Sequence, residues 1–166
     1  MAMLAAVRTI NLPDCWIAAG AIRSAVWDVQ HGWLVSTGWA DVDVLFFDAG
    51  DVARDKEAAA ETELARLCPG PKWEVRNQAR MHLKVGNPPY SDTEDGLRHF
   101  AETPTAVGVR LEGDDIEILA PHGLEDLFSC IVRPTAINDR NMVYYRARME
   151  AKNWPGRWPM VRVLGL

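Results

Sequence analysis

The stretch Asp41-Val42-Asp43-Val44-Leu45-Phe46-Phe47-Asp48 is the segment that decides the fold and points to the chemistry of this chain. It is rich in β-branched and aromatic residues and lies between Gly38 and Gly50, a pattern typical of a short β-strand. Because side chains alternate along a strand, Asp41 and Asp43 are predicted to share one face, while the apolar residues between and after them point to the other.

Two carboxylates side by side repel each other, and burial of either without a partner costs free energy. A divalent cation such as Mg²⁺ or Mn²⁺ resolves this conflict, since hard oxygen ligands suit both ions. The residues alone leave a second interpretation open, in which Asp41 is a turn residue and Asp43 a solvated side chain on an edge strand. So short a pattern recurs by chance. The choice between a metal-binding pair and two solvated side chains therefore depends on the rest of the sequence.

Size and composition describe an ordinary globular protein of one domain, predicted to span residues 1–166. Hydrophobic residues make up 48% of the 166 residues and charged residues 25%. The formal net charge of −5 argues against a protein that coats DNA or RNA, because such a protein needs a cationic surface. Acidic residues gathered around a metal ion contribute to this figure, so it is compatible with nucleotide chemistry.

The compartment predicted from the sequence is the cytoplasm. Residues 1–8 have no basic region of the kind that opens a signal peptide, and no apolar run approaches the roughly 20 residues of a membrane span. Cys15, Cys68 and Cys130 are scattered and lack metal-ligand spacing, so each is expected to be a small core residue in a reducing environment.

A strand, a glycine and a helix follow one another before the aspartate segment. Residues 15–19 predict a buried strand that ends at Gly20, and apolar residues at helical spacing predict a helix over residues 21–29. The first backbone N–H groups of such a helix, together with its dipole, favour an anion, typically a phosphate. Arg23, in the first helical turn, is expected to reach the same anion. Its alternative role is a surface salt bridge.

Residues 72–83 predict a long strand with one unusually polar face. That face carries Glu74, Arg76, Gln78, Arg80 and His82. One interpretation is an edge strand whose outer face is solvated. The other places this face beside the aspartate pair, with one glutamate as a third carboxylate and Arg80 near a phosphate.

Three further segments complete the prediction. Residues 51–67 are expected to form a solvated packing helix and residues 138–153, from Asn138 to Asn153, the last helix. Residues 103–111 and 116–120 predict an antiparallel hairpin around an acidic turn. Glu117 in this hairpin is a second candidate for the third carboxylate.

The motifs together resemble a known superfamily. Two segments resemble the signature of the DNA polymerase β-type nucleotidyltransferases: Ala19-Gly20-Ala21-Ile22-Arg23-Ser24 and, after it, Asp41-Val42-Asp43-Val44. Their sequence is most similar to the motif of tRNA CCA-adding enzymes and bacterial poly(A) polymerases. Residues 73–82 and 105–110 extend the likeness to a small, little-characterised bacterial nucleotidyltransferase family over nearly all of the chain. Ala19 stands where the first glycine is expected and Ser24 replaces an aspartate. The interval from Gly20 to Asp41 is longer than usual.

The resemblance implies an α+β fold, a nucleotidyltransferase-like mixed sheet with helices packed on one face and the carboxylate site on the other. The implied reaction is metal-dependent transfer of a nucleoside monophosphate from a nucleoside triphosphate, such as ATP, to an unknown acceptor hydroxyl, with release of pyrophosphate. Asp41, Asp43 and Glu74 would be the catalytic residues and would hold Mg²⁺ or Mn²⁺. The nucleotide would be bound by four further residues: Gly20, Arg23, Ser24 and Arg80.

The expected partners are a nucleoside triphosphate and an acceptor that is a small molecule, a protein or an RNA end. Neither a membrane nor a long nucleic acid is expected. Because Ala19 and Ser24 depart from the family pattern, a catalytically inactive nucleotide- or partner-binding module with the same fold is the alternative. A sugar-nucleotide glycosyltransferase is a weaker alternative, because such enzymes usually have longer chains.

Overall fold

A five-stranded mixed sheet organises the molecule. The computed structural model describes residues 1–38, 40–136 and 139–166. Its five strands are β1 (Trp16–Ala18), β2 (Val42–Phe46), β3 (Trp73–Asn77), β4 (Gly108–Glu112) and β5 (Asp115–Leu119). They lie in the order β3-β2-β1-β4-β5, with β2 and β3 parallel and the other neighbours antiparallel. The predicted α+β class and the predicted hairpin of β4 and β5 are confirmed.

Helices surround this sheet. They are α1 (Ala2–Thr9), α2 (Gly20–Gln30), α3 (Arg54–Leu67), α4 (Gln78–Val85), α5 (Thr93–Arg98), α6 (Glu125–Phe128), α7 (Asp139–Lys152) and α8 (Trp154–Arg157). A two-stranded parallel sheet pairs β6 (Ile131–Val132) with β7 (Arg162–Val163). No helix within the described ranges has the length and apolarity to cross a bilayer. Asn138, predicted to begin the last long helix, lies outside the described residues.

The core lies mainly on one face of the large sheet. Val42, Val44 and Phe46 of β2 are fully buried and pack with Ala60 and Leu64 of α3. This alternation is the one predicted from the sequence, and it follows from the period of two residues along a strand. The odd positions of β2 therefore point to the opposite face, which α5 covers in part.

Helix α3 also completes the edge of the sheet. Among the described residues β3 has one neighbouring strand, β2, so alternate backbone N–H groups along it lack a strand partner there. The Glu61 carboxylate accepts a hydrogen bond from the Val75 N–H at 2.9 Å, and that of Glu57 accepts one from the Asn77 N–H at 2.8 Å. The expected solvated packing helix thus has a second structural role.

The long strand predicted over residues 72–83 is wrong in its second half. The strand ends at Asn77, and α4 begins at the next residue. The Asn77 side chain accepts a hydrogen bond from the Ala79 N–H at 3.1 Å, which is the action of an N-cap residue. Residues with high helix propensity follow this cap. Polar and apolar residues also alternate among them, as they do in the strand, so the pattern predicted a longer strand. The predicted polar row is therefore divided between a strand and a helix.

Candidate active site

Three carboxylates lie close together on the sheet face opposite the main core. In the strand register Asp43 is paired with Ala18 on one side and with Glu74 on the other. Paired residues of neighbouring strands point to the same face, so Glu74 stands beside Asp43. Asp41 immediately precedes β2, and its charge acts on Asp43.

The clustering is costly for Asp43. Burial raises its pKa to about 6, and the charges of Asp41 and Glu74 act in the same direction. The charges of Arg76 and Arg148 oppose this rise without cancelling it. A carboxylate held in such surroundings gains from a nearby cation, and its hard oxygen donors suit Mg²⁺ or Mn²⁺.

Glu74 is held by two basic side chains. Lys72 Nζ donates to its Oε1 at 2.5 Å, and Arg76 Nη2 donates to its Oε2 at 3.4 Å. The hydrogen bond from Lys72 lowers the pKa of Glu74. In the part of the chain that the structure describes, no three His, Cys, Asp or Glu side chains converge as a ready metal site. Glu74, the acid in register with Asp43, is thus engaged by Lys72 and Arg76.

Glu117, the second candidate for the third carboxylate, lies elsewhere. It is on β5, three strands from β2 and so about 14 Å away across the sheet. Arg110 binds it through Nε and Nη2 at 2.7 and 2.6 Å. Register and pairing together exclude Glu117 from the carboxylate cluster and leave Glu74 as the adjacent acid.

The strand–glycine–helix corner lies directly beside these acids. Ala18, opposite Asp43, is the last residue of β1, and α2 begins two residues later at Gly20. The intervening Ala19 has φ 55° and ψ −119°, a conformation that favours glycine, and it makes no side-chain cap. A Cβ built on Gly20 would meet no described atom within 4 Å. The start of α2 therefore borders open space next to the carboxylates.

Arg23 is buried rather than exposed in the first turn of α2. Only 8% of its surface is accessible, and its guanidinium lies 4.9, 4.4 and 5.1 Å from the ring centroids of Trp27, Trp154 and Trp158. Its Nη2 donates to Oγ of the buried Ser24 at 3.0 Å, and its Nε has no partner among the described residues. Burial lowers its pKa to about 10. Arg23 and Ser24 thus lie inside the corner, and their contact with a nucleotide stays a prediction.

Arg80 is not placed near the corner. It lies on α4, and its guanidinium contacts Glu57, a buried residue of α3. Helix α3 packs on the sheet face opposite Asp43. The predicted phosphate contact of Arg80 assumed that the strand continues to residue 80, but β3 ends at Asn77. The pairing of Arg80 with Glu57 gives that prediction no support.

Two residues of the site region were not found from the sequence. Glu102 is fully buried, and Arg148 of α7 binds both of its carboxylate oxygens at 2.8 to 3.1 Å. Burial raises the pKa of Asp43, and the positive charge of Arg148 acts in the opposite direction on the same carboxyl group. The two residues are 46 positions apart in a loop and a polar helix, and no local pattern marks either.

The mixed sheet, the adjacent acids and the glycine corner define a nucleotidyltransferase fold of the DNA polymerase β type. A family model described as "Nucleotidyltransferase" matches residues 5–163, and the chain belongs to that family. No curated protein is significantly similar to it in sequence.

Solved structures agree with this assignment. An NMR structure described as revealing a CCA-adding enzyme head domain is 33% identical, with 98% of this chain and 87% of that chain covered and a TM-score of 0.86. The Thermotoga maritima CCA-adding enzyme complexed with tRNA is 16% identical, with 97% and 37% covered and a TM-score of 0.58. A CCA-adding enzyme in complex with ATP gives 16% identity, the same coverage and a TM-score of 0.56. The last two share the fold with this chain, which spans little more than a third of their length.

Proposed function

We propose that this protein is a metal-dependent nucleotidyltransferase that transfers a nucleoside monophosphate from a nucleoside triphosphate to an acceptor hydroxyl and releases pyrophosphate. One observation carries the proposal, which is that Asp43 is paired in register with Ala18, two residues before α2 begins. The paired aspartates and the open helix start therefore share one corner of the sheet. Membership of the family supports the class of reaction.

The residues of the corner have distinct proposed roles. Asp41 and Asp43 would hold Mg²⁺ or Mn²⁺, and Glu74, which is now paired with Lys72, would be the third acid of the set. A bound divalent ion activates the acceptor hydroxyl and neutralises phosphate charge. The free N–H groups at Gly20 and the following turn of α2 bind the phosphates of the nucleotide.

The proposed reaction needs no covalent intermediate with the protein. The acceptor hydroxyl loses its proton to solvent, and its oxygen forms a bond to the α-phosphorus as the bond from that phosphorus to pyrophosphate breaks. Such transfers depend mainly on the alignment of the two oxygens and on charge neutralisation. A rigid sheet with carboxylates on two neighbouring strands suits this task, because strands hold side chains more firmly than loops do.

The acceptor is proposed only as a hydroxyl compound. Enzymes of the same fold include one solved with tRNA and one with ATP. An RNA end is therefore a candidate beside small molecules and protein side chains. The net charge of −5 disfavours broad contact with an RNA backbone.

The test is release of pyrophosphate from each of the four nucleoside triphosphates with Mg²⁺ or Mn²⁺, in the presence of candidate acceptors. Asp41→Asn and Asp43→Asn are each expected to lower the rate at least about 100-fold, because each removes a charge that holds the ion. Asp115→Asn, at the exposed tip of the hairpin, is the matched control and is expected to leave the rate unchanged. Binding of metal and nucleotide by both site variants at wild-type strength would refute the proposal.

A second candidate function is a nucleotide-binding module without turnover. The ion pairs of Glu74 with Lys72 and Arg76 favour it, because they occupy the acid that is paired in register with Asp43. This function predicts nucleotide binding, measured by calorimetry, without pyrophosphate release under any acceptor condition. Sustained pyrophosphate release would eliminate it.

A further inference from the structure

A buried ion pair presents a guanidinium at the site region from a part of the chain remote from the aspartates. The Glu102 side chain has no exposed surface, and Thr105 Oγ1 donates to its Oε1 at 2.8 Å. Arg148 donates from Nε and Nη2 to the same carboxylate. Burial of a carboxylate costs several kcal/mol unless it is fully paired, so Glu102 holds Arg148 strongly in one orientation.

The pair uses only one edge of the guanidinium. Glu102 binds the edge formed by Nε and Nη2, and Nη1 is not among the atoms that it contacts. The Arg148 side chain keeps 28% of its surface exposed, in contrast to its buried partner. An arginine that serves only to neutralise an internal acid has no need of an accessible edge. The exposed side chain of Tyr144 also hydrogen-bonds the guanidinium, so a planar anionic partner such as a phosphate would take the place of this tyrosine.

Arg148 borders the two halves of the candidate site. Its guanidinium lies 5.9 Å from the ring centroid of Trp154, and the same indole lies 4.4 Å from the guanidinium of Arg23 in α2. Burial lowers the pKa of Arg23, and the Arg148 charge lowers it further. The charge of Arg148 also acts on Asp43. Helix α7 therefore carries a cation whose charge acts both on Arg23 in the first turn of α2 and on Asp43 in the acid cluster.

We propose that Arg148 binds the phosphate chain of the nucleotide from the α7 side, opposite the start of α2, and that Glu102 is the residue that positions it. This inference rests on the proposed function, because it assigns a contact within the same site. It explains why a polar helix distant in sequence is anchored by a fully buried acid. It also supplies the cation that the buried Arg23 does not present at the surface.

The first test is Arg148→Lys, which keeps a charge for Glu102 and so preserves the fold but loses the planar fork. The KM for the nucleoside triphosphate is expected to rise about tenfold, equivalent to about 1.4 kcal/mol, with kcat changed less than about threefold. Inhibition by inorganic tripolyphosphate, used as a probe of the phosphate subsite, is expected to weaken by the same factor. Arg146→Ala, an exposed arginine on the same helix, is the control and should change neither value.

The second test separates positioning from stability. Glu102→Gln is expected to raise KM as Arg148→Lys does, because the amide cannot hold the fork through two accepting oxygens. A purely structural role predicts a lower fraction of active protein instead, which reduces the apparent kcat and Tm but leaves KM unchanged. The double variant Glu102→Gln with Arg148→Lys should raise KM by less than the product of the single effects, because both act on one contact.

The outcomes separate the two proposals. Wild-type KM and wild-type tripolyphosphate inhibition in folded Arg148→Lys and Glu102→Gln would overturn the role of Arg148 and leave the proposed function standing. Failure of the unaltered protein to bind any nucleoside triphosphate would overturn both. A rise in KM confined to these two variants, with Arg146→Ala unchanged, supports the inference.

Discussion

Asp43 combines a site position with an unfavourable environment. Burial, followed by the charges of Asp41 and Glu74, raises its pKa from 3.8 to about 6 in the folded chain. Between these two pH values the folded state binds more protons at this carboxyl than the unfolded state does. The contribution of Asp43 to stability is therefore favourable at low pH and is lost as the pH rises through about 6.

This linkage gives a prediction at the residue scale. Asp43→Asn should raise the free energy of unfolding at pH 8 by on the order of 2 kcal/mol, and it should flatten the dependence on pH between about 4 and 6. Urea denaturation at several pH values measures both effects. Asp115→Asn, at an exposed position, should show neither. A steeper loss of stability with rising pH in Asp43→Asn than in the wild type would contradict the assigned environment.

Ala19 allows a second prediction at this scale. Its φ of 55° and ψ of −119° lie in a region that costs a residue with a Cβ about 1–3 kcal/mol. Ala19→Gly should therefore raise the free energy of unfolding by about 1 kcal/mol, after the greater freedom of glycine in the unfolded chain is subtracted. The same change at Ala5, exposed within α1, should lower stability by about 0.5–1 kcal/mol. Thermal and urea denaturation of the two variants would show whether the signs differ.

At the scale of elements, α3 and β3 depend on each other through two glutamates. Glu57 accepts the Asn77 N–H and pairs with Arg80, so one buried carboxylate joins a helix, a strand end and the following helix. Glu61, one turn further along α3, accepts a hydrogen bond from the Val75 N–H in the same way. The edge of the sheet is thus closed by side chains instead of by another strand, which also leaves it less able to pair with a second molecule.

The corresponding prediction concerns Glu57→Ala. The change leaves a buried N–H and a largely buried guanidinium without their partner, so stability should fall by about 3 kcal/mol. Glu63→Ala, on the same helix, removes only an exposed pair with Arg66 and should cost less than about 0.5 kcal/mol. Chemical denaturation compares the two variants directly. An equal, small loss in both would show that the edge does not need Glu57.

At the scale of the whole molecule, α2 joins two cores. Ala21 packs into the core between the sheet and α3, and Trp27 into a second core built with the C-terminal segment. Trp158 in that segment is fully buried, and its Nε1 donates to the Asp28 carboxylate at 2.8 Å. The C-terminal segment therefore supports the helix whose first turn forms the candidate phosphate corner.

Removal of the Trp158 ring should affect the whole molecule. Trp158→Ala is expected to lower the free energy of unfolding by about 3–5 kcal/mol, since it leaves a large cavity beside Trp27 and Arg23. Phe128→Ala, where the ring is 51% exposed, should cost less than about 1 kcal/mol. Calorimetry gives both values. A loss at Trp158 no larger than that at Phe128 would mean that the second core does not stabilise α2.

The sequence was most informative where structure is local. The alternation in β2 placed Asp41 and Asp43 apart from the apolar face, and the helical spacing after Gly20 predicted α2. It failed where two local signals competed, as at Asn77, whose side chain ends a strand by capping the next helix. The misplacement of Arg80 followed from that single error.

Sequence alone determined the strand and helix that carry the aspartates and the glycine corner, because both depend on side-chain periodicity over fewer than a dozen residues. Only the tertiary structure decided that Glu74 and not Glu117 stands beside Asp43, and that Glu102 holds Arg148 near them. Strand order and the packing of α7 bring together residues far apart in the chain, and the free energy that selects such contacts comes from burial and charge in the assembled core. No local pattern of residues indicates which of these distant contacts form.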